Sequence, residues 1–247
     1  MGVASARFRN LKRVNFSPSQ SGLINAPSWQ NDTQGTIFFE LELPTVWAAA
    51  GTDGIISMGS TTSDNSRFFI AHRWQAGGAG YNNLPKIEIS TRSNGGTISQ
   101  LLSTLTLVAG TKYKCAIRGN GSAKKLYING VPNTLNVSSG TNNGDWFNVV
   151  TNAKRITYGT LYIAGADRVN SYAVRMDQIL YISGYACTDA EVLEFYNNGN
   201  PRAVSFANRM PGGSFFSCGD RDSQSIMYDR VGSNNMSLIS MPTYIAT

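Results

Sequence analysis

Short segments in which apolar and polar residues alternate run along most of the chain, and clusters of Gly, Asn, Ser or Pro separate them. A period of two residues places successive side chains on opposite faces of a β-strand. Many short strands with such turns between them are typical of two antiparallel sheets packed face to face. The pattern predicts strands at 36–43, 54–58, 67–71, 86–90, 112–118, 125–128, 155–158, 160–164 and 176–182.

Two local signals refine this pattern. Asn129-Gly130 directly follows a predicted strand, and this dipeptide favours the positive φ angles of a tight hairpin turn. Thr188 and Glu191 form a Thr-x-x-Glu capping box, which predicts the start of the one helix of the chain. The helix is expected to end before Pro201, and its apolar face is predicted to contain Val192, Leu193, Phe195 and Tyr196.

The composition fits a β-rich protein. Charged residues make up only 15% of the 247 residues, against about 25% in an average globular protein. The polarity comes from 25 glycines and from Ser and Asn, which excludes a bundle of long helices. The 11 Phe, 11 Tyr and 4 Trp residues are enough to form a core. With no linker and no repeat, we expect a single sandwich domain over 14–247, in which 200–247 is a C-terminal extension or supplies closing strands.

The net charge of +6 is concentrated near the N-terminus. We predict that 1–13 form a basic arm that contacts carboxylates of a neighbouring subunit in an assembly. The alternative is a frayed, solvated terminus. Binding of nucleic acid is not expected, because such a domain would spread its basic residues over a folded face. The four cations of the arm, all ahead of the first acidic residue, are Arg7, Arg9, Lys12 and Arg13.

The cysteines give no sign of a disulfide framework or a zinc site. Cys115, Cys187 and Cys218 are odd in number and share no short spacing. We expect them to be buried as small apolar side chains in a chain made in a reducing cytoplasm. No apolar stretch approaches the ~20 residues that span a bilayer, and none follows the N-terminal cations, so neither a membrane span nor a signal peptide is expected.

Several segments carry motifs of a known family. The segment Lys124–Val131 reads as an alternating strand that runs into an Asn-Gly turn. Residues 176–181 follow the pattern hydrophobic-Asp-x-hydrophobic-x-hydrophobic. A helix start of the form Thr-x-x-Glu-Val follows at Thr188. The entry from Val14 to Leu41 is similar as well. Together these segments resemble the laminin-G-like, concanavalin A-like jelly-roll family over roughly 14–199. Asp229–Leu238 resembles a motif from the start of such domains, and its late position suggests a permuted order or an added strand.

The resemblance implies an all-β, concanavalin A-like two-sheet antiparallel sandwich, a jelly roll, with one short helix. The family uses this fold for sugar binding, adhesion and, in some branches, glycan cleavage, so the fold alone does not choose a function. The low charge, the richness in Gly, Ser and Asn and the unpaired cysteines are similar in style to bacteriophage virion proteins.

We therefore expect a non-enzymatic structural protein of the virion, such as a capsid decoration protein, a head fibre or a tail-fibre component. It would be made in the host cytoplasm. Its partners would be other virion proteins, further copies of the same chain and a host-surface glycan. The alternative is a carbohydrate-binding module of a cell-surface or secreted protein.

Two loops carry the aromatic and amide side chains that sugar recognition needs. In both, the alternative is a turn around a tryptophan of the core or of a subunit interface. His72, in the first loop, is also expected to end a strand at the surface. The candidate glycan-binding residues are His72, Arg73, Trp74, Tyr81 and Asn83 in the loop 71–84, and Asn143, Asp145 and Trp146 in the loop 142–146.

Catalysis and metal binding have weaker signals. Glu40 and Glu42 would lie about 7 Å apart on one strand face, within the range of glycosidase carboxyl pairs. They resemble the acidic strand of the laminarinase-like branch, but the third acid is replaced by Thr45. We expect a solvent-facing polar edge here and no catalytic residue. Calcium, which the resemblance allows, has only scattered acidic residues to bind it, so no cofactor is expected.

Overall fold

The computed structural model describes residues 12–43, 51–62, 65–74, 85–152, 154–168, 174–196, 206, 209–216, 226–228, 230, 232–239 and 243–246. Within these ranges the regular secondary structure consists almost entirely of strands. The strands are β1 Lys12–Phe16, β2 Ser21–Asn25, β3 Gly35–Glu42, β4 Gly51–Ser60, β5 Arg67–Trp74, β6 Lys86–Arg92, β7 Ser99–Ser103, β8 Lys112–Gly119, β9 Lys124–Ile128, β10 Val131–Asn133, β11 Leu135–Ser139, β12 Lys154–Tyr158, β13 Leu161–Ile163, β14 Ala166–Arg168, β15 Val174–Ser183, β16 Gly213–Phe216, β17 Ile226–Met227, β18 Met236–Ile239 and β19 Thr243–Ala246. A 3₁₀ turn, Phe147–Val149, and the helix α1, Asp189–Tyr196, complete the described elements.

The strands form two large antiparallel sheets. In the described part of the chain, sheet A has the order β10-β9-β8-β3-β15-β1-β19, and β16 pairs with β15 beyond the end of β1. Sheet B has the order β11-β7-β6-β5-β4-β12-β2-β18-β17. A separate hairpin, β13-β14, lies against sheet B. The predicted two-sheet antiparallel sandwich with one short helix is confirmed.

The core lies between the two sheets because each strand directs alternate side chains inward. In sheet B, Ile56, Ile70, Ile89 and Leu101 are direct neighbours across four strands, and all four are buried. In sheet A, Ile37 and its partners form the matching layer. Each such side chain contributes about 1.5–3 kcal/mol of burial free energy. The predicted hairpin is present as well, with positive φ at both turn residues between β9 and β10.

The C-terminal segment closes both sheets. β18 pairs with β2, and β19 pairs with β1, so of the two alternatives that the sequence left open for 200–247 the described residues fit closing strands. The boundary of the basic arm was wrong, because Lys12 and Arg13 are paired through their backbones with Ala246 and Ile245. They therefore belong to the sheet, whereas the other two cations of the predicted arm, Arg7 and Arg9, lie outside the described residues.

Helix α1 begins with the predicted capping box. The backbone N–H of Glu191 donates to Thr188 Oγ1 at 3.2 Å, and that of Thr188 donates to Glu191 Oε2 at 2.7 Å. Val192, Phe195 and Tyr196 pack on the outer face of sheet A around Phe38. The assignment of Leu193 to the apolar face was wrong: this side chain is 59% exposed.

The hairpin β13-β14 covers part of the outer face of sheet B. Leu161 and Ile163 pack on Phe69 and Ala71 of β5. This close approach requires a glycine at position 54, because a Cβ atom there would come within 2.3 Å of the backbone of Thr160. Next to the hairpin, the outer face of β5, β6 and β7 carries a group of polar side chains.

Candidate binding face on sheet B

His72 lies inside the sandwich. It is directly opposite Ile87 on the core side of β5, and it is 3% exposed. Its Nδ1 atom is 3.8 Å from Oδ2 of Asp53, which is equally buried. The expectation of a surface position was wrong because β5 continues to Trp74 and so carries His72 into the sheet. The side chain of Trp74, and residues Tyr81 and Asn83, lie outside the described part of the chain.

Trp146 belongs to the core. Its side chain is 0% exposed, and its ring lies 4.9 Å from that of Phe68. The indole N–H donates to the hydroxyl of Tyr181 at 3.3 Å. The prediction that Trp146 stacks on a sugar was therefore wrong, and the alternative of a core tryptophan is confirmed.

The rest of the loop 142–146 is tied to a buried lysine. Lys124 Nζ donates to the backbone oxygen of Asn143 at 2.9 Å and to its Oδ1 at 3.2 Å. Asn143 Nδ2 in turn donates to Asp145 Oδ2 at 2.6 Å. Asn143 and Asp145 therefore hold the loop 142–146 in place through these hydrogen bonds.

The buried amine of Lys124 makes stability depend on pH. Burial lowers its pKa to about 8, although the nearby carboxylate of Asp145 opposes the shift. Between pH 8 and the unfolded value of about 10.4, the unfolded chain binds more protons than the folded protein, so the contribution of Lys124 to stability rises with pH. From pH 7.5 to 9.5, we expect the wild type to gain about 1–2 kcal/mol of unfolding free energy relative to Lys124→Met. Urea titrations at both pH values measure this difference, and a constant or falling difference would contradict the assignment.

A polar cluster occupies the outer face of β5, β6 and β7, which we call the β5–β7 face. It is held together by Glu88 of β6, whose side chain is 0% exposed. Arg73 Nη1 donates to Glu88 Oε2 at 3.0 Å, and Gln100 Nε2 donates to Glu88 Oε1 at 2.6 Å. These contacts join three strands diagonally across the sheet. The face consists of Arg67 and Arg73 on β5, Glu88, Ser90 and Arg92 on β6, and Gln100 on β7.

The middle of the face contains polar atoms that lack hydrogen-bond partners. Ser90 lies between Phe69 and Gln100 and is 1% exposed. Within the described ranges, neither its hydroxyl nor the buried Nε atom of Arg67 forms a hydrogen bond. Buried polar atoms without partners are rare in native proteins, and each calls for an explanation such as a bound ligand or an ordered water.

Of the five predicted glycan-binding residues whose side chains the structure describes, Arg73 is the only one on this face. The sequence analysis missed Arg67, Glu88, Ser90, Arg92 and Gln100. Glu88 and Ser90 do occupy the polar positions of a predicted strand, which was the available signal. Their convergence depends on the register of β7, a strand that the alternation did not predict.

The acidic pair on β3 lies on the other sheet and is bonded to cations. Arg175 Nη1 is 2.6 Å from Glu42 Oε1, and Lys114 Nζ is 3.9 Å from Glu40 Oε1. Glu40 and Glu42 are partly exposed and alternate with the buried Leu41 and Leu43, as expected for the polar side of a strand. The strand itself does not form an edge, because β3 lies between β8 and β15 inside sheet A. Asp177, also on sheet A, accepts a hydrogen bond from the backbone N–H of Gln178 at 2.7 Å.

Cys115 and Cys187 are buried and unpaired, as predicted, and burial raises the pKa of the Cys187 thiol to about 11. Cys218 lies outside the described residues. Among the side chains that the structure describes, no three His, Cys, Asp or Glu groups converge at metal-binding distance. The described helices include none that is long and apolar enough to span a membrane.

Comparison with known proteins shows similarity in structure only. No protein-family profile and no curated protein sequence matches the chain. A Bacteroides ovatus protein, provisionally described as carbohydrate-binding, is 14% identical with a TM-score of 0.63, and the match covers 96% of this chain and 60% of that protein. The CBM40 domain of the Ruminococcus gnavus IT-sialidase is 15% identical with a TM-score of 0.53, and the match covers 75% of this chain and 97% of that domain.

The same domain has been solved with α2,3-sialyllactose bound; that structure has a TM-score of 0.52 at 14% identity, and the match covers 74% of this chain and 96% of the domain. The fold is a jelly roll. This agrees with the laminin-G-like and concanavalin A-like architecture that the sequence motifs implied. At these sequence identities the comparison establishes the fold alone. The ligand has to be inferred from the side chains of the site.

Proposed function

We propose that the protein binds carbohydrate through the β5–β7 face. The observation that carries the proposal is the buried Ser90 hydroxyl without a partner, at the centre of a cluster of guanidinium, carboxylate and amide groups. Sugars present many hydroxyl groups, and binding sites recognise them with a few well-placed polar groups of these kinds. The carbohydrate-binding descriptions of two structures with the same fold support this proposal.

Rigid placement supports the same proposal. The polar groups project from three neighbouring strands, and Glu88 fixes Arg73 and Gln100 in position. Groups held in this way lose little conformational entropy when a ligand binds. This proposed function corresponds to the alternative that the sequence left open, and it places binding on the strands instead of on the two aromatic loops.

A glycan array with the purified protein tests the proposal. We expect at least one glycan to bind, and Ser90→Ala to weaken that binding about 5–10-fold, the effect of about one hydrogen bond. Ser122→Ala, in an exposed turn, is the matched control and should leave the affinity unchanged. An array without binding, or equal affinity in the wild type and Ser90→Ala, would contradict the proposal.

The role as a phage structural protein stays a prediction that rests on composition alone. It is compatible with glycan binding, since a virion protein can attach to a host-surface glycan. Mass spectrometry of purified particles tests it, and absence of the chain from the particles would contradict it. The non-enzymatic character is likewise a proposal: hydrolysis of an array glycan that Glu40→Gln abolishes would overturn it.

A further inference from the structure

Two arginines lie directly opposite each other on the β5–β7 face. Arg67 of β5 and Arg92 of β6 are register partners, and both project from the outer face of sheet B. Directly opposed side chains in an antiparallel pair have Cβ atoms about 4.5–5.5 Å apart, and like charges at this spacing are destabilising. Burial lowers the pKa of Arg67, and repulsion from Arg92 lowers it further, while Glu88 opposes the shift.

The face does not neutralise this pair. Within the described ranges, neither Arg67 nor Arg92 forms an ion pair with a carboxylate, and Arg92 Nε donates instead to the backbone oxygen of Gly96 at 3.0 Å. Glu88, the carboxylate of this face, already accepts hydrogen bonds from Arg73 and Gln100. Three guanidinium groups therefore face one carboxylate, and Nε of Arg67 has no acceptor.

We infer that Arg67 and Arg92 together bind the oxyanion group of an acidic glycan. This inference rests on the proposed glycan-binding function and names the class of sugar. A guanidinium group presents a planar fork of donors that matches a carboxylate or a sulfate, and two such forks bind an anion more strongly than neutral donors do. The anion would supply the missing acceptor for Arg67 and relieve the repulsion between the two cations.

The structural alternative is that Arg67 stabilises the fold. Its guanidinium lies 5.8 Å from the ring centre of Phe69, near the limit of about 6 Å for a cation–π contact, so this contact is weak. Removal of Arg67 would also remove its repulsion from Arg92. The two accounts therefore predict opposite effects of removing Arg67 on the stability of the fold. An arginine kept for ligand binding lowers stability in this position, whereas a structural arginine raises it.

The test compares matched pairs of glycans that differ only in the acidic group: oligogalacturonate with its methyl ester, and a κ-carrageenan oligosaccharide, whose acidic groups are all sulfates, with its desulfated neutral form, together with the neutral and acidic members of a glycan array. We expect every glycan that binds to carry a carboxylate or a sulfate, and its neutral form to bind at least 10-fold more weakly. The two pairs show which of the two oxyanions is preferred.

Arg67→Met should reduce the affinity for the acidic glycan at least 10-fold and leave the unfolding temperature unchanged or higher. Lys112→Met, which removes the same charge from an exposed position on sheet A, is the control and should retain the affinity.

The inference would be overturned if neutral glycans bound as tightly as acidic ones and Arg67→Met kept the affinity of the wild type. The proposed function would stand in that case. A lower unfolding temperature of Arg67→Met with unchanged affinity would also overturn the inference. Absence of binding to any glycan would instead refute the proposed function.

Discussion

Trp146→Ala is expected to lower the free energy of unfolding by about 3–5 kcal/mol, the usual cost of removing a large aromatic side chain from a core. The indole lies over Gly35 and Gly119, which are register partners on β3 and β8. A Cβ atom at Gly119 would come within 2.5 Å of the indole, and one at Gly35 within 2.8 Å. Because these two positions have no side chains, the sheet A side of the cavity has no side chain that could move in to fill it.

Denaturant unfolding of the purified variants measures this loss. Trp146→Phe is the matched control: it keeps an aromatic ring but removes the N–H donor to Tyr181, and we expect a smaller loss of about 1–3 kcal/mol. Both variants should bind glycans like the wild type at temperatures at which they are folded. A Trp146→Ala variant with native stability and lost binding would show that the original prediction of a sugar-stacking tryptophan was correct.

Asp32→Ala is expected to lower the free energy of unfolding by about 2–3 kcal/mol. One oxygen of Asp32, Oδ2, accepts hydrogen bonds from the hydroxyl of Tyr181 at 2.5 Å, from that of Ser183 at 2.7 Å and from the backbone N–H of Gly184 at 2.9 Å. Tyr181 is 2% exposed, so its hydroxyl would lose a buried acceptor. Leaving one buried donor unsatisfied costs about 1–3 kcal/mol, and the two more exposed bonds add to this.

A double-mutant cycle with Tyr181→Phe isolates the buried bond. Asp32→Ala should cost less in the Tyr181→Phe background, because the donor that it would leave unsatisfied is already absent. The difference between the two backgrounds should be about 1 kcal/mol or more. Equal losses in both backgrounds would show that the carboxylate acts through Ser183 and Gly184 alone.

Alternation along the sequence predicted central strands such as β6 and β8 well because the residues on their two faces differ in polarity, even where, as in β6, both faces are buried. β3, β6, β8 and β15 each place apolar residues toward the core. β7, with the sequence SQLLS, was missed because its two apolar residues, Leu101 and Leu102, are adjacent, so apolar and polar residues do not alternate. The short helix was predicted correctly at its start because a capping box is a local signal. The exposure of Leu193 depends on the orientation of the helix on sheet A, and this orientation cannot be predicted from the local sequence.

The candidate site could be predicted only in part for a related reason. Trp146 and Asn143 have the residue types of a sugar-binding loop, but burial against sheet A and a lysine from β9 determine their roles. The cluster around Glu88 brings together three strands whose pairing register the sequence does not state. Only Arg73 could be identified beforehand, because it adjoins an aromatic loop. The opposed arginines Arg67 and Arg92 are 25 residues apart and meet only when β5 and β6 pair.

The most direct measurement is a heteronuclear NMR titration of the ¹⁵N-labelled protein with the glycan that binds most tightly on the array. The account predicts that the largest backbone amide shifts occur in Arg67–Arg73, Lys86–Arg92 and Ser99–Ser103, and that the Nε–H signal of Arg67 shifts with them. Residues 142–146 and the strands of sheet A should show small shifts. The largest shifts in the loop 142–146, or on β3 around Glu40 and Glu42, would contradict the assignment of binding to the β5–β7 face.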